Sequence, residues 1–310
     1  MNNKIIVLVG PTAVGKTYVS VELAKKLNTE ILSADSMQIY KEMDIGTAKV
    51  TEAEKKGVIH HMIDIINPDE TFSVSDFKCM AENIIDNIIE KSKNPIIVGG
   101  SGLYVNSLIY DLDFGNAKSD SKIRDYYTSL YNEHGEDFIY EMLKKVDPES
   151  SEKIHKNNVK RVIRALEVYE ITGEKFSELN TDIRKYSEKY NCILVGLNMD
   201  RKILYDRINR RVDKMISDGL IEEVKGLINN GYNKNLVSMQ GIGYKEIIDY
   251  LEGKTSFEDA VNILKRNTRR FAKRQFTWFL RDSNVKWFDI STPDEIDSVV
   301  ENIYNFILNT

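Results

Sequence analysis

The stretch GPTAVGKT, residues 10–17, follows directly on the apolar run KIIVLV at 4–9. A strand that runs into a glycine-rich loop and then a helix has few ways to fold. It builds a phosphate cradle at the carboxyl edge of a parallel sheet. Gly10 and Gly15 let the backbone bend across Pro11, Thr12, Ala13 and Val14, so that amide N–H groups converge on oxyanions. Lys16 adds a full charge, and the helix that opens there aims its positive end at the same point. The Thr17 hydroxyl is placed to ligate Mg²⁺. The pattern implies bound phosphate. It leaves open whether that phosphate is hydrolysed, transferred, or pulled away as a leaving group.

Around this loop the first 110 residues alternate short apolar runs with longer amphipathic ones. Strands are expected at KIIVLV, TEILSADS (29–36) and NPIIVGG (94–100), with helices opening at Lys16 and spanning Asp76 to Lys91. From about Asp111 the chain turns charged and helix-prone, with capping signals at Ser119 to Ser121 and in DPESSEK (147–153). The next strand is NCILVGLNM at 191–199, followed by helices at about 201–230, 243–252 and 256–281. The expected fold is therefore α/β, a P-loop NTPase-like parallel sheet flanked by helices with a mostly helical insertion domain. Its parts run 1–112, 113–190 and 191–310. The stretch TGEKFSELNTDIRKYSEKYN (172–191) reads as a mobile connection.

A P-loop NTPase usually closes its magnesium site with an Asp at the end of an apolar strand. Here PIIVGGSGLY ends instead in Gly99, Gly100 and Ser101, which argues against fuel hydrolysis. The acid at the crevice is Asp35, at the end of the second strand. From position alone two readings stand level: a structural one, as a helix cap or a water-mediated magnesium ligand, and a functional one, as a general base beside a departing phosphate. His60 and His61 read as a satisfied pair preceding a strand. Cys79 and Cys192, far apart in sequence, read as buried free thiols. No apolar stretch approaches the length of a membrane span, and the N-terminal apolar run is too short for an export signal, so the expected address is cytoplasmic.

The net charge of −5 argues against a nucleic-acid partner only until it is localised. Residues 282–310 carry six acids against Lys286 alone, which is the whole −5, so residues 1–281 balance to zero. Immediately before that tail, KRNTRRFAKRQFTWFLR (265–281) holds seven Lys or Arg and no acid. The local field matters more than the sum. Within this run Phe276 and Phe279 are expected in the core, with basic residues such as Lys273 and Arg274 outward.

The motifs GPTAVGKT, SADSMQIYKEMDIGTAK, HHMIDI, VGGSGLYV, RVIRALEVYEITG, QGIGYKE and TRRFAKRQFTWF occur in this order. Together they resemble the tRNA dimethylallyltransferases, also called tRNA isopentenyltransferases, from residue 10 to about residue 281. The resemblance implies transfer of a dimethylallyl group from dimethylallyl diphosphate to N6 of the adenosine immediately 3′ of the anticodon. The phosphate would then be a leaving group. Lys16, the loop amides and Mg²⁺ would stabilise the departing charge, and Asp35 would accept the N6 proton. The resemblance adds Arg211 to the diphosphate site, with Arg207 one turn earlier; on residue chemistry alone these arginines read as a solvated face paired with Asp206 and Asp213. Ser101 replaces the threonine usual in GGTGLY and keeps the hydroxyl that would orient the amine or the diphosphate.

For tRNA, the target base must leave its stack, so a channel is expected between the α/β core and the insertion. The resemblance assigns contact to the RVIRALE stretch, here Arg161, Val162, Ile163 and Arg164 with Lys160 beside them, and to Arg124; Ser36, Met37 and Gln38 follow Asp35 closely enough to wedge against or read the extruded adenine, with Ser101 nearby. Gln240, Gly241, Ile242, Gly243, Tyr244 and Lys245, with Lys273 and Arg274, complete the set. On spacing alone Lys160 and Arg164 are a solvated helix face over the apolar Val159, Val162, Ile163 and Leu166. The expected partners are the tRNA anticodon stem-loop and dimethylallyl diphosphate, with no membrane and no obligatory protein partner, the chain acting as a monomer. A P-loop nucleotide or nucleoside kinase is the alternative, and an RNA-binding module keeping the loop as a relic is a third.

Overall fold

The computed structural model describes residues 4–112, 120–179, 185–290, 292 and 295–310. Strand β1 (Lys4–Val9) enters the phosphate loop, which gives way to helix α1 (Lys16–Leu27) and strand β2 (Ile31–Ala34). A short helix α2 (Glu52–Lys55), strand β3 (His60–His61), helix α3 (Val74–Glu90), strand β4 (Ile96–Gly99) and helix α4 (Gly102–Ile109) follow. The chain then leaves this unit and returns to it at Ser187.

After the return come β5 (Asn191–Asn198) and a helical series. All strands of the sheet are parallel, in the order β3-β2-β4-β1-β5-β6, the last being Lys286–Asp289. β1 lies between β4 and β5, with Val9 opposite both Gly99 and Gly196. Its residues Ile5, Ile6, Val7 and Leu8 are completely buried. A continuous apolar run is what a central parallel strand covered on both faces requires. The carboxyl ends of β1, β2 and β4 therefore open at one edge, where the phosphate loop sits.

The unit formed by residues 110–186 is helical, from α5 (Ser121–His134) through α6 (Glu136–Val146), α7 (Pro148–Lys153) and α8 (Val159–Thr172) to α9 (Phe176–Leu179). Asp120 caps α5 by accepting the Lys122 and Ile123 N–H groups; Ser119, read as part of that signal, lies outside the described residues. Asp147 caps α7 with Pro148 in its first turn. Tyr127, Ile139, Leu143, Ile154, Val162 and Leu166 form its own core. Of the stretch read as a mobile connection, Phe176–Leu179 is helix and 180–184 lie outside the described residues.

Back in the first unit, the single helix expected over 201–230 is two, α10 (Arg201–Ser217) and α11 (Leu220–Asn229). Gly219 between them takes φ 104°, which ends one helix and starts the next at a new angle. A 3₁₀ turn (Ser238–Gln240) leads to α12 (Tyr244–Leu251) and the 23-residue α13 (Phe257–Phe279). α14 (Ile296–Asn309) closes the chain and buries Val299, Val300, Ile303 and Ile307 against the sheet core. Two of the six acids of the C-terminal tail, Asp297 and Glu301, lie on this amphipathic helix.

Three further expectations change. The two histidines form edge strand β3 rather than precede a strand. Cys79 is exposed on α3, because its position falls opposite the buried stripe Phe77, Ala81, Ile85 and Ile88. Cys192 is half-buried, its thiol pushed up to about 12 by burial and the nearby Asp282 charge. Phe279 is buried as expected, whereas Phe276 is half-buried with its ring edge-on to Trp287.

Candidate diphosphate and adenine site

The loop between β1 and α1 alternates handedness. Ala13 sits at φ 67° and Gly15 at φ 113°, and such alternation turns successive N–H groups toward one point. Gly15 is required there, because a side chain at that φ is strained. Two guanidiniums from α10 hold the loop from outside: Arg207 Nε donates to the Ala13 carbonyl at 2.9 Å, and Arg211 Nη1 to Thr12 Oγ1 at 3.3 Å. Lys16 Nζ donates to the Gly10 and Pro11 carbonyls at 2.8 and 2.9 Å. Four parts of one loop are therefore fixed before any ligand arrives.

The electrostatics follow from that crowding. Burial pushes the Lys16 ammonium down to about 8; Asp35 opposes the shift and Arg211 adds to it. Arg211 is pressed down by burial and by Arg207, but a guanidinium keeps its charge. Close cations facing a pre-bent loop leave a region of uncompensated positive potential, which a polyanion relieves.

Across the crevice, Asp35 follows the last residue of β2. Its Oδ1 accepts the Met37 N–H at 2.9 Å. Burial raises its carboxyl above the ordinary 3.8, with the Met37 N–H, the Lys16 charge and the Gln38 N–H only partly compensating. The ends of β2 and β4 are tied together: the Ser101 N–H donates to the Ala34 carbonyl, and Ser101 Oγ accepts the Ser36 N–H at 3.0 Å and lies 3.2 Å from Ser36 Oγ. A cavity of about 60 Å³ opens here, lined on its polar side by Lys16, Thr17, Asp35 and His60 and on its apolar side by Val50 and Val98. Its walls join a cation, a hydroxyl and a carboxylate to a small hydrocarbon surface.

Among the described residues no group of three or more His, Cys, Asp or Glu could hold a metal ion. Mg²⁺ commonly takes only one or two protein ligands and completes its shell with substrate phosphates and water. Thr17, which lines the cavity beside Lys16, fits that smaller donor set.

Other candidate residues are placed as follows. The Gln38 amide is engaged at both ends, its Oε1 accepting from Ser33 Oγ and its Nε2 donating to the Thr47 and Ala48 carbonyls. Met37 packs on the cluster formed by α10 to α13. Tyr244 is completely buried with its hydroxyl on Glu223, and Gly243 N–H donates to Glu246. Gln240 is exposed; Gly241, Ile242 and Lys245 are half-buried. In the helical unit Lys160 and Arg161 are exposed, while Val162 and Ile163 belong to its core. Arg164 and Arg124 both reach the completely buried Glu167, at 2.7 and 2.9 Å. On α13, Lys273 and Arg274 are exposed and share a face with Arg266 and Arg270.

Sequence reasoning missed two residues. Glu223 gathers the N–H groups of Asp44, Ile45 and Gly46 and the Tyr244 hydroxyl, pinning the loop that carries the Gln38 contacts. Gln275, 6 % exposed, joins the phosphate loop to the end of β4. A signal existed for the second: it is a polar residue in the stripe Ala260, Leu264, Ala272, Phe279.

Residues 38–282 match the family model described as IPP transferase. The chain belongs to the IPP transferase family. Its IPP transferase relatives include the tRNA dimethylallyltransferase of Alkaliphilus oremlandii, 54 % identical over 98 % of this chain and 96 % of that one. The Clostridioides difficile tRNA dimethylallyltransferase is 50 % identical over 98 % and 97 %. The tRNA isopentenylpyrophosphate transferase of Bacillus halodurans superposes with a TM-score of 0.75 at 47 % identity, covering 99 % of this chain and 96 % of that one. A eukaryotic dimethylallyltransferase acting on tRNA superposes at 0.84 with 30 % identity, over 99 % and 80 %. These relatives are prenyl transferases; the kinase alternative draws no support from them.

Proposed function

We propose that this chain transfers a dimethylallyl group from dimethylallyl diphosphate to N6 of the adenosine immediately 3′ of the anticodon in tRNA, releasing diphosphate. The observation that carries this reading is the position of Asp35. It shares one cavity with Lys16 and Thr17. A carboxylate beside a phosphate cradle, with raised proton affinity, is arranged for taking a proton as a phosphate leaves.

The balance is simple. The allylic C–O bond breaks and its electron pair goes to diphosphate, a new C–N bond forms to N6, and the N6 proton passes to an Asp35 carboxylate oxygen. Lys16, Arg211 and the loop N–H groups favour the charge that grows on the leaving oxygen, and removing one such fixed donor costs about 3 kcal/mol. Mg²⁺ held by Thr17 with the diphosphate oxygens would neutralise further charge there. Adenine N6 is a poor nucleophile because its lone pair is delocalised into the ring, so proton removal must accompany bond formation. Ser101, tied to Ser36, would orient the amine. Lys160, Arg161, Lys273 and Arg274 are exposed cations of the kind that contact phosphates of a single-stranded loop. The reaction would run in the cytoplasm on a monomer.

Incubation with dimethylallyl diphosphate, Mg²⁺ and unmodified tRNA tests the reading. A prenyl mass gain on adenosine, with one diphosphate released per group transferred, is expected. In a parallel incubation with ATP and Mg²⁺, ATP consumption without a prenyl mass gain would instead make the chain a kinase; if neither assay responds, the loop is a relic.

A further inference from the structure

Gln275 occupies a place that the reaction as described does not use. It lies in the last two turns of α13, in the buried stripe of that helix, between the exposed Arg274 and the half-buried Phe276. Its side-chain oxygen accepts the Thr12 N–H at 2.8 Å, and its side-chain nitrogen donates to the Gly100 carbonyl at 3.1 Å. One planar amide therefore joins the two loops that follow the neighbouring strands β1 and β4. Thr12 belongs to the phosphate loop and also holds Arg211; Gly100 precedes Ser101. The fit is close, since a Cβ on Gly100 would stand 2.0 Å from the Gln275 nitrogen.

A buried amide is retained in an apolar stripe only if both its ends are satisfied. Here both partners are backbone groups of loops that have no ladder bond to each other at that point. A leucine or methionine would fill the volume as well, but it would leave the Thr12 N–H and the Gly100 carbonyl without these partners.

We propose that Gln275 is a positioning residue for prenyl transfer. It sets the separation between the diphosphate cradle and the Ser101 end of β4, so that the leaving group and the acceptor amine meet in line. The same turn of α13 carries Lys273 and Arg274 on its outer face. A change in the helix on RNA contact would reach the cradle through this side chain, as it would through Arg269, which donates to Asn209 on α10 at 2.6 Å. The inference rests on the proposed function, whose failure is distinguishable by the first measurement below.

Inorganic diphosphate titrated into the wild-type chain comes first: a chain that binds none overturns the proposed function, and this inference with it. Given binding, Gln275→Met keeps the volume and breaks both links. The expected result is diphosphate affinity about tenfold weaker, the size of one hydrogen bond, and a reduced kcat. The melting temperature falls by a few degrees, as two backbone groups lose their partners, while the dissociation constant for tRNA stays close to wild type. Gly100→Ala, which pushes the amide away from the other side, is expected to give the same pattern. Gln275→Met binding diphosphate and turning over as the wild type does would overturn the proposal. So would a variant that lowers melting temperature, tRNA affinity and diphosphate affinity together, because that is the signature of a purely structural amide. If Gln275→Met fails to fold, the same readouts on Gly100→Ala decide.

Discussion

At the scale of single residues, Lys16 and Asp35 are held away from their ordinary proton affinities in ways that the chemistry can use. The Lys16 ammonium, pushed down to about 8 in the free chain, is charged at neutral pH and loses its charge as pH rises through that value. Diphosphate binding that needs this charge should therefore weaken about tenfold between pH 7 and 9, as follows from one proton lost at that midpoint. Isothermal titration with inorganic diphosphate reads this directly, and a flat profile would show that the charge is not needed. For folding, the sign reverses. The unfolded chain binds the Lys16 proton more tightly, so this group's contribution to stability grows as pH rises from about 8 to 10.5. Asp35 is shifted upward by burial, so its base form is complete at a higher pH than that of an exposed aspartate. The acid limb of the rate profile should lie above that of an exposed aspartate and disappear in Asp35→Asn.

At the scale of elements, α8 shows how one helix serves two ends. Its outer residues Lys160 and Arg161 are exposed, while Arg164 turns back to Glu167, which also accepts the Asp120 N–H at the start of α5. Arg164→Ala would leave a completely buried carboxylate short of a partner. The expected cost is about 1–3 kcal/mol, softened by Arg124 and Asp120, which remain. Denaturant unfolding checks it. Arg161→Ala should cost nothing measurable by the same assay.

What was legible at this scale follows a physical division. β1, β2, β4 and β5 carry local signals, apolar runs bounded by turns, and so does the opening of α1. β3 is two residues long and exists only because Ile31 and Leu32 offer it a ladder; β6 is half-exposed and borrows its place from β5. Neither has a signal of its own. α14 carries its own apolar stripe, Val299, Val300, Ile303 and Ile307, which the sequence reading left out, and the break at Gly219 was hidden inside a long charged run. At the site the loop and Asp35 follow from sequence order. The bonds from Gln275 to the two loops and from Glu223 to the 44–46 loop join residues more than 170 positions apart, which no local pattern encodes.

At the scale of the whole molecule, the charge is sorted rather than balanced. The −5 lies beyond residue 281, while α13 presents Arg266, Arg270, Lys273 and Arg274 on one exposed face. Replacing Lys273 and Arg274 with glutamine should flatten the salt dependence of tRNA binding by about 0.7 to 0.9 for each phosphate left without its cation, measured by filter binding across a salt series. An unchanged slope would place that face outside the RNA footprint. The central claim concerns the crevice itself: diphosphate departs into the loop while Asp35 takes the proton. Single-turnover chemistry by Asp35→Asn, preloaded with dimethylallyl diphosphate and tRNA, tests it most directly. The account predicts transfer slowed by about 10² to 10⁴ with both substrates saturating; transfer at the wild-type rate would contradict it.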